Sequence, residues 1–271
     1  MSNNNDIQGA EKKSTKPTKV GLYIPCCVDQ FAAETGRRTM DLLNSMGLKC
    51  NYPTALTSCG AELYMLGDRD NAKQLGERMM ELYDDCQYVV SCGSGDVAYI
   101  QKCFGKLFHN TTMHNTYRAF ADKCIDLSDF LVNVMDYTPD TTVEFPHKVA
   151  VMDHCRTMSD YVCAAHRDQK GLHDELRKLL GGVKGITLLE MDDNEVCCGL
   201  GGMPAGMMTP ISDGLARRKA ESAINAGAEY IVSTEVSCLL HLQSYIDKNN
   251  MPLRCIYFAD ILKGNTGKTT E

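Results

Sequence analysis

The feature that most constrains this chain is that it repeats itself. Short apolar runs alternate with amphipathic stretches, and the same order starts again near residue 148. In the first half, 20–24 reads as a buried strand stopped by Pro25. Residues 32–46 read as a helix with Met40, Leu43 and Met46 on one side and Gly47 as its stop. A short strand is expected at 48–52. On 71–83, Leu75, Met79, Leu82 and Tyr83 recur at helical spacing, and 88–91 is the next strand. In the second half, 149–152, 186–191 and 230–233 read as strands. Residues 172–180 and 212–226 read as helices ended by Gly181-Gly182 and Gly227. Each half closes alike, with CIDLSDFL from Cys124 and CIYFADIL from Cys255, a strand running into a helix. Cys26 and Cys155, Cys59 and Cys198, and Cys124 and Cys255 hold matching places in the two halves. Strands alternating with helices imply right-handed βαβ units. The expected fold is therefore α/β, with two duplicated, Rossmann-like halves, each on a parallel sheet. The expected divisions are a disordered tail at 1–18, a first repeat at 19–137, a turn-rich linker at 138–147 and a second repeat at 148–271.

Composition narrows the chemistry. Net charge is −7, and no clustered basic surface of the kind nucleic acid requires is evident. No apolar run approaches the ~18 residues of a membrane span. The polar N-terminal segment lacks the apolar stretch of a signal peptide. The expected location is the cytoplasm, where thiols stay reduced. Fourteen cysteines there point to metal, cluster or redox chemistry rather than a disulfide framework.

In open α/β sheets, sites form beyond the carboxyl ends of the strands. Cys155 follows the first strand of the second half, Cys197-Cys198-Gly199 follows the second, and Cys238 follows the third. Loops leaving one sheet edge can bring these four thiols together. Four soft sulfur ligands suit an iron–sulfur cluster of the 4Fe–4S type, or zinc. The side chains of adjacent cysteines diverge, which suits a multi-iron cluster better than one tetrahedral ion. Gly199, Gly201 and Gly202 would let the backbone approach the cluster and donate N–H groups. His154 and His241 flank these loops as candidate hydrogen-bond donors or ligands, although a lone His is more often neither. The Gly-rich stretch GLGGMPAG is neither a P-loop nor a GxGxxG fingerprint.

The segments IPCCVDQF, TSCGAELYMLG, YVVSCGSGD, EVCCGLGG and STEVSC, with the CIYFADILKG ending, resemble the cysteine-rich "CCG" domain. That domain occurs twice in the cysteine-rich subunit of heterodisulfide reductase and in the glycolate oxidase iron–sulfur subunit. The resemblance to the two-repeat lactate utilization protein A family is closer, and it extends over nearly the whole chain after the tail. It implies an iron–sulfur, electron-transferring subunit serving oxidation of L-lactate to pyruvate beside partner subunits, with a 4Fe–4S-type cluster, cubane or noncubane. No catalytic residue is assigned. The first half departs from the pattern: CCG reads Ser58-Cys59-Gly60, and the final cysteine aligns with Asp96. Its ligands would be Cys26 and Cys59, with Cys92 or Cys27 as a third. Around Cys155 the neighbours are rearranged to Asp153, His154 and Arg156, and Glu235 stands where a CxxC ending would begin. Two other classes remain open: a heterodisulfide or thiol–disulfide reductase subunit with a catalytic cluster, and a zinc or structural thiolate scaffold.

Several residues have plainer readings. Cys50, Cys86, Cys103, Cys124, Cys163 and Cys255 read as small packing residues. Met207-Met208 reads as packing, and Arg217-Arg218-Lys219 as a solvated helix face.

Overall fold

The computed structural model describes residues 16–158, 174–194, 196–201, 206 and 208–264. Among them are two four-stranded sheets of the same design. The first contains β1 (Val20–Tyr23), β2 (Cys50–Asn51), β3 (Tyr88–Ser91) and β4 (Cys124–Asp126), in the order β2-β1-β3-β4. The second contains β5 (Lys148–Met152), β6 (Thr187–Leu189), β7 (Tyr230–Ser233) and β8 (Arg254–Tyr257), in the order β6-β5-β7-β8. Every pairing is parallel, including β1 with β3 and β5 with β7. All four residues of β1 and of β7 are buried, because parallel strands between helices have both faces covered. The duplicated α/β architecture expected from the sequence is the observed one.

The helices of the first half are α1 (Cys26–Phe31), α2 (Ala33–Ser45), α3 (Ala61–Met65), α4 (Arg69–Leu82), α5 (Ser94–Phe108) and α6 (His114–Lys123), followed by α7 (Leu127–Asp129), which continues as a π-helical turn at Phe130–Val134. Those of the second are α8 (Cys155–Met158), α9 (Asp174–Gly181), α10 (Thr209–Asn225), α11 (Val236–Lys248) and α12 (Phe258–Leu262). The helix expected at 32–46 is preceded by the extra turn α1, which begins at Cys26 itself. The start of the helix expected at 172–180 lies outside the described residues.

The halves share a core. One continuous apolar cluster joins Leu22, Val90 and Phe130 of the first half to Val151, Ile231 and Phe258 of the second. A second cluster, with Tyr64, Met79, Phe104 and Phe108, belongs to the first half alone. The end of the stretch expected as a linker packs against the second half. Phe145 is buried edge-to-face on Tyr230, and its N–H donates to the Lys184 carbonyl at 2.9 Å. The two sheets also meet where β3 and β7 end. Gly93 and Glu235 form an antiparallel bridge, Thr234 Oγ1 donates to Ser94 Oγ at 3.0 Å, and the Gly95 N–H donates to Glu235 Oε2 at 2.6 Å. Equivalent loops of the two copies therefore face each other at the carboxyl edge, where each strand order reverses between its two central strands.

Gly21 in β1 lets the sheet lie against Tyr83, since a Cβ there would sit 2.5 Å from the Tyr83 ring. Gly21→Ala is expected to cost about 1–3 kcal/mol of stability by overpacking, read as a lower urea midpoint at unchanged slope. An unchanged midpoint would show that Tyr83 moves aside freely.

Candidate metal centre

Three loops bring four thiols together. Cys155 opens α8 directly after β5, Cys197 and Cys198 lie in the loop after β6, and Cys238 sits in the first turn of α11 after β7. The Cys198 thiol donates to Cys238 Sγ at 2.9 Å, and the two form no disulfide. Cys197 accepts hydrogen bonds from the Cys155 and Cys198 thiols, which hold it far below the ordinary thiol value; the Gly199 N–H, 3.4 Å away, adds to this. Cys198, the donor to Cys197 and Cys238, is pushed up. Cys238 is held down to about 6 by the Cys198 thiol, with His154 adding to the effect through its charge and a hydrogen bond. The result is a contiguous chain of sulfur atoms, Cys155, Cys197, Cys198 and Cys238, with His154 against its end.

Local structure explains the placement. α11 is capped by Glu235, whose carboxylate accepts from the Ser237 N–H and hydroxyl, and this fixes Cys238 within the first turn. The positive ends of α8 and α11 face the thiols and favour thiolate. Gly199 has a left-handed φ of 95°, and a Cβ there would meet the Ser212 carbonyl oxygen at 2.5 Å, so the loop turns tightly over α10. His241 contacts Ser212 Oγ at 3.2 Å and reaches the Cys198 backbone; burial pushes its pKa down. Gly201 lines the site, while Gly202 lies outside the described residues, as do Cys163 and Met207.

A buried polar network ties the cysteine loops together. Asp153, just before His154 and Cys155, is paired with Arg177 of α9 through two bonds of 3.1 and 3.0 Å. Its other partner is Asn194, which lies just before the Cys197 loop: Asn194 Nδ2 donates to Asp153 Oδ2 at 2.8 Å, and the Asp153 N–H donates to Asn194 Oδ1 at 3.0 Å. Arg177 also holds Glu190 at 2.8 Å, keeping that carboxyl below its usual range.

The first half places a different set at the equivalent positions. Cys26 hydrogen-bonds Ser58, which stands where the second copy has Cys197. Cys59 is buried, and its N–H donates to Tyr23 Oη at 3.0 Å. Asp96 takes the place of Cys238, in the first turn of α5. Burial raises the thiols of Cys26, Cys27 and Cys59, and the nearby carboxylates of Glu62, Asp96 and Glu235 add to the effect. Cys92 points elsewhere. It is fully buried in the shared core, and burial raises its thiol as well. A cavity of about 260 Å³ lies between the copies, walled on one side by the four second-half cysteines and His154 and on the other by Cys26, Cys27, Glu62 and Asp96. Cys59 and Cys92 are not in its lining.

Two plainer readings need correction. Lys219, expected on a solvated face, is fully buried, whereas Arg218 is exposed and pairs with Asp193. Met208, expected to pack, is 48% exposed. Cys86 and Cys124 are buried, and Cys50, Cys103 and Cys255 are half-buried. Sequence reading missed Glu62 and the roles of Asp153 and Asn194. Glu235, noted there as a departure from the cysteine pattern, proves to be the helix cap.

The donor set fits a thiolate-bound cluster: four sulfurs in one crevice, backbone N–H groups directed at them, and helix starts behind them. Among the described residues, no group of three or more His, Cys, Asp or Glu side chains is arranged to hold a single metal ion. Fold and site together define a duplicated parallel α/β protein with a cysteine centre at the edge where its two copies meet. Residues 20–96 and 161–243 match the family model described as "Cysteine-rich domain", and the chain belongs to this CCG family with two repeats. Cys155 lies just ahead of the second match. The chain is similar to Lactate utilization protein A 1 of Bacillus cereus (strain AH820) and Lactate utilization protein A of Bacillus thuringiensis (strain Al Hakam). Each is 27% identical over 92% of this chain and all of the relative. Among solved structures, a hypothetical protein from Helicobacter pylori superposes with a TM-score of 0.61 at 8% identity, covering 94% of this chain and 50% of that one, a likeness of fold alone.

Arg177→Leu leaves the Asp153 carboxylate buried without its cation and is expected to cost about 3 kcal/mol or more. Adding Asp153→Asn should restore part of that loss. A double variant no more stable than the single one, in urea unfolding, would rule out the ion pair as the loop clamp.

Proposed function

We propose that this chain holds a 4Fe–4S-type cluster on Cys155, Cys197, Cys198 and Cys238, and serves as the electron-transfer subunit of a complex that oxidises L-lactate to pyruvate. The observation that carries the reading is the continuous contact of four thiols from three loops in one crevice. A bound cluster supplies one-electron redox chemistry. The residues around it orient the ligands, donate N–H groups to sulfur and exclude water. The lactate role draws support from the curated relatives, which are matched over their full length.

The cavity beside the thiols bears on where lactate would react. Its described lining includes the carboxylates of Glu62, Asp96 and Glu235, a surrounding that repels a carboxylate substrate. Lactate oxidation itself is therefore assigned to a partner, with this chain passing electrons. Phe31, Met65, Leu66, Met208 and Ile211 are exposed, Met65 at the cavity itself, and are the apolar side chains a partner subunit would cover. No helix among the described residues is long and apolar enough to cross a membrane. The same cavity is what would favour the alternative, a catalytic cluster that reduces a disulfide. Reduction of a disulfide by the cluster-loaded protein, with deletion leaving growth on L-lactate unaffected, would select that alternative.

The test is iron and sulfide counting after anaerobic purification. Wild type should carry iron and acid-labile sulfide in matched amounts, with a charge-transfer absorption. Cys198→Ser should lose most of the iron, and Cys59→Ser should keep it. A colourless protein with one zinc would overturn the cluster, and equal iron loss in both variants would place a ligand in the first copy as well.

A further inference from the structure

Lys219 lies on α10 with no exposed surface. Its Nζ donates to the carbonyl oxygens of Asp193 at 2.6 Å and Asn194 at 3.0 Å, in the turn that leads into Cys197 and Cys198. Both acceptors are neutral. The one carboxylate in that turn with a described partner, that of Asp193, is held from the outside by Arg218 at 2.9 and 2.5 Å. Burying an ammonium group costs several kcal/mol unless negative charge lies close by. Burial lowers the Lys219 pKa, and the groups that act most strongly to raise it again are Cys198, Cys155 and Cys197, ahead of Asp193. Three of the four thiols of the centre thus lie within electrostatic reach of this amino group, which its two carbonyl bonds hold beneath their loop.

We propose that Lys219 is the buried counter-charge of the cysteine centre, setting the reduction potential of the cluster from beneath the Cys197–Cys198 loop. The inference rests on the cluster reading given above. Reduction adds one negative charge to an already anionic thiolate-bound group. A fixed positive charge in a low-dielectric setting stabilises the reduced form more than the oxidised one and raises the potential. Because the charge is enclosed, mobile salt screens it poorly. The two hydrogen bonds to the loop fix the distance over which it acts. Lys219 is a positioning residue that tunes the centre without being a ligand.

The experiment is an anaerobic redox titration of the whole cluster-loaded chain, followed by electron paramagnetic resonance, on wild type, Lys219→Gln, Lys219→Arg and Ser222→Ala. Lys219→Gln removes the charge and keeps a donor for the carbonyls. Lys219→Arg keeps the charge. Ser222→Ala removes another support of the same turn, the bond from the Asp193 N–H to Ser222 Oγ at 3.2 Å, with the charge intact. At the wild-type midpoint, Lys219→Gln should move the oxidised-to-reduced ratio about tenfold or more toward oxidised, about 59 mV for one electron. The shift should persist at high salt. Lys219→Arg and Ser222→Ala should stay within about threefold of wild type. A Lys219→Gln ratio within that range, or an equal shift in Ser222→Ala, overturns the role of Lys219. If Lys219→Gln loses iron, retention by Lys219→Arg supports the charge, and loss by both makes the side chain a packing element and overturns it. Wild type without iron overturns the cluster reading and this inference together, whereas the other negative results overturn the lysine's role alone.

Discussion

Four thiols in contact in one crevice, two of them buried and two half-buried, set the terms for everything around them. Two unit negative charges 4 Å apart repel by about 4 kcal/mol at an effective dielectric of 20. Four such groups cannot all ionise together unless positive charge is supplied. The second half answers this at several scales. Protons are shared along the Cys155–Cys197–Cys198–Cys238 chain. The starts of α8 and α11 point at the sulfurs, and the Gly199 N–H reaches Cys197. His154 lies against Cys238, and Lys219 lies beneath the loop. In the proposed cluster the iron atoms supply the largest share of the missing positive charge.

The two copies show what happens when that demand is relaxed. The backbone of the first half keeps the same sheet order and carries the same loop positions to the same edge. Its side chains there are Cys26, Ser58, Cys59 and Asp96, and its two thiols are raised by burial and neighbouring carboxylates rather than lowered. Divergence has left the scaffold alone and changed the electrostatics. One copy gathers groups that gain by sharing a cation, and the other presents an acidic wall to it across the cavity. The Gly95–Glu235 hydrogen bond and the Gly93–Glu235 bridge hold the copies in that opposition.

Much of this was legible in the sequence. Strand–helix alternation, glycine stops and the paired cysteines were enough for the duplicated parallel architecture, because periodicity and turn chemistry are local signals. The convergence of Cys155, Cys197, Cys198 and Cys238 was legible through topology, since loops from one sheet edge have few places to go. Tertiary contacts were not. Nothing local distinguishes Cys92, which turns into the shared core, from a cysteine that faces the crevice. The packing of Phe145 on Tyr230, within the turn-rich stretch, was equally hidden. Asp153 and Asn194 lie far apart in the chain, and only the fold makes them one network with Arg177.

Lys219 is the instructive miss, because a signal for it was present. α10 buries Ser212, Ala216, Ala220 and Ala223, which recur at helical spacing, and Lys219 stands on that same stripe one turn after Ala216 and one turn before Ala223. Grouping it with Arg217 and Arg218 as a run of charge ignored the angle each residue occupies on the helix. Small alanines on either side leave room for a lysine stem to pass inward, where larger residues would fill the space. A lysine at such a position is a buried cation, and a buried cation requires an anion. In the loop that packs over α10 the described acids are Asp192 and Asp193, one exposed and the other already paired with Arg218, while Glu195 lies outside the described residues; the proposed cluster on the neighbouring cysteines is the anion assigned to Lys219. The periodicity that defines the helix therefore also points from Lys219 to the thiols.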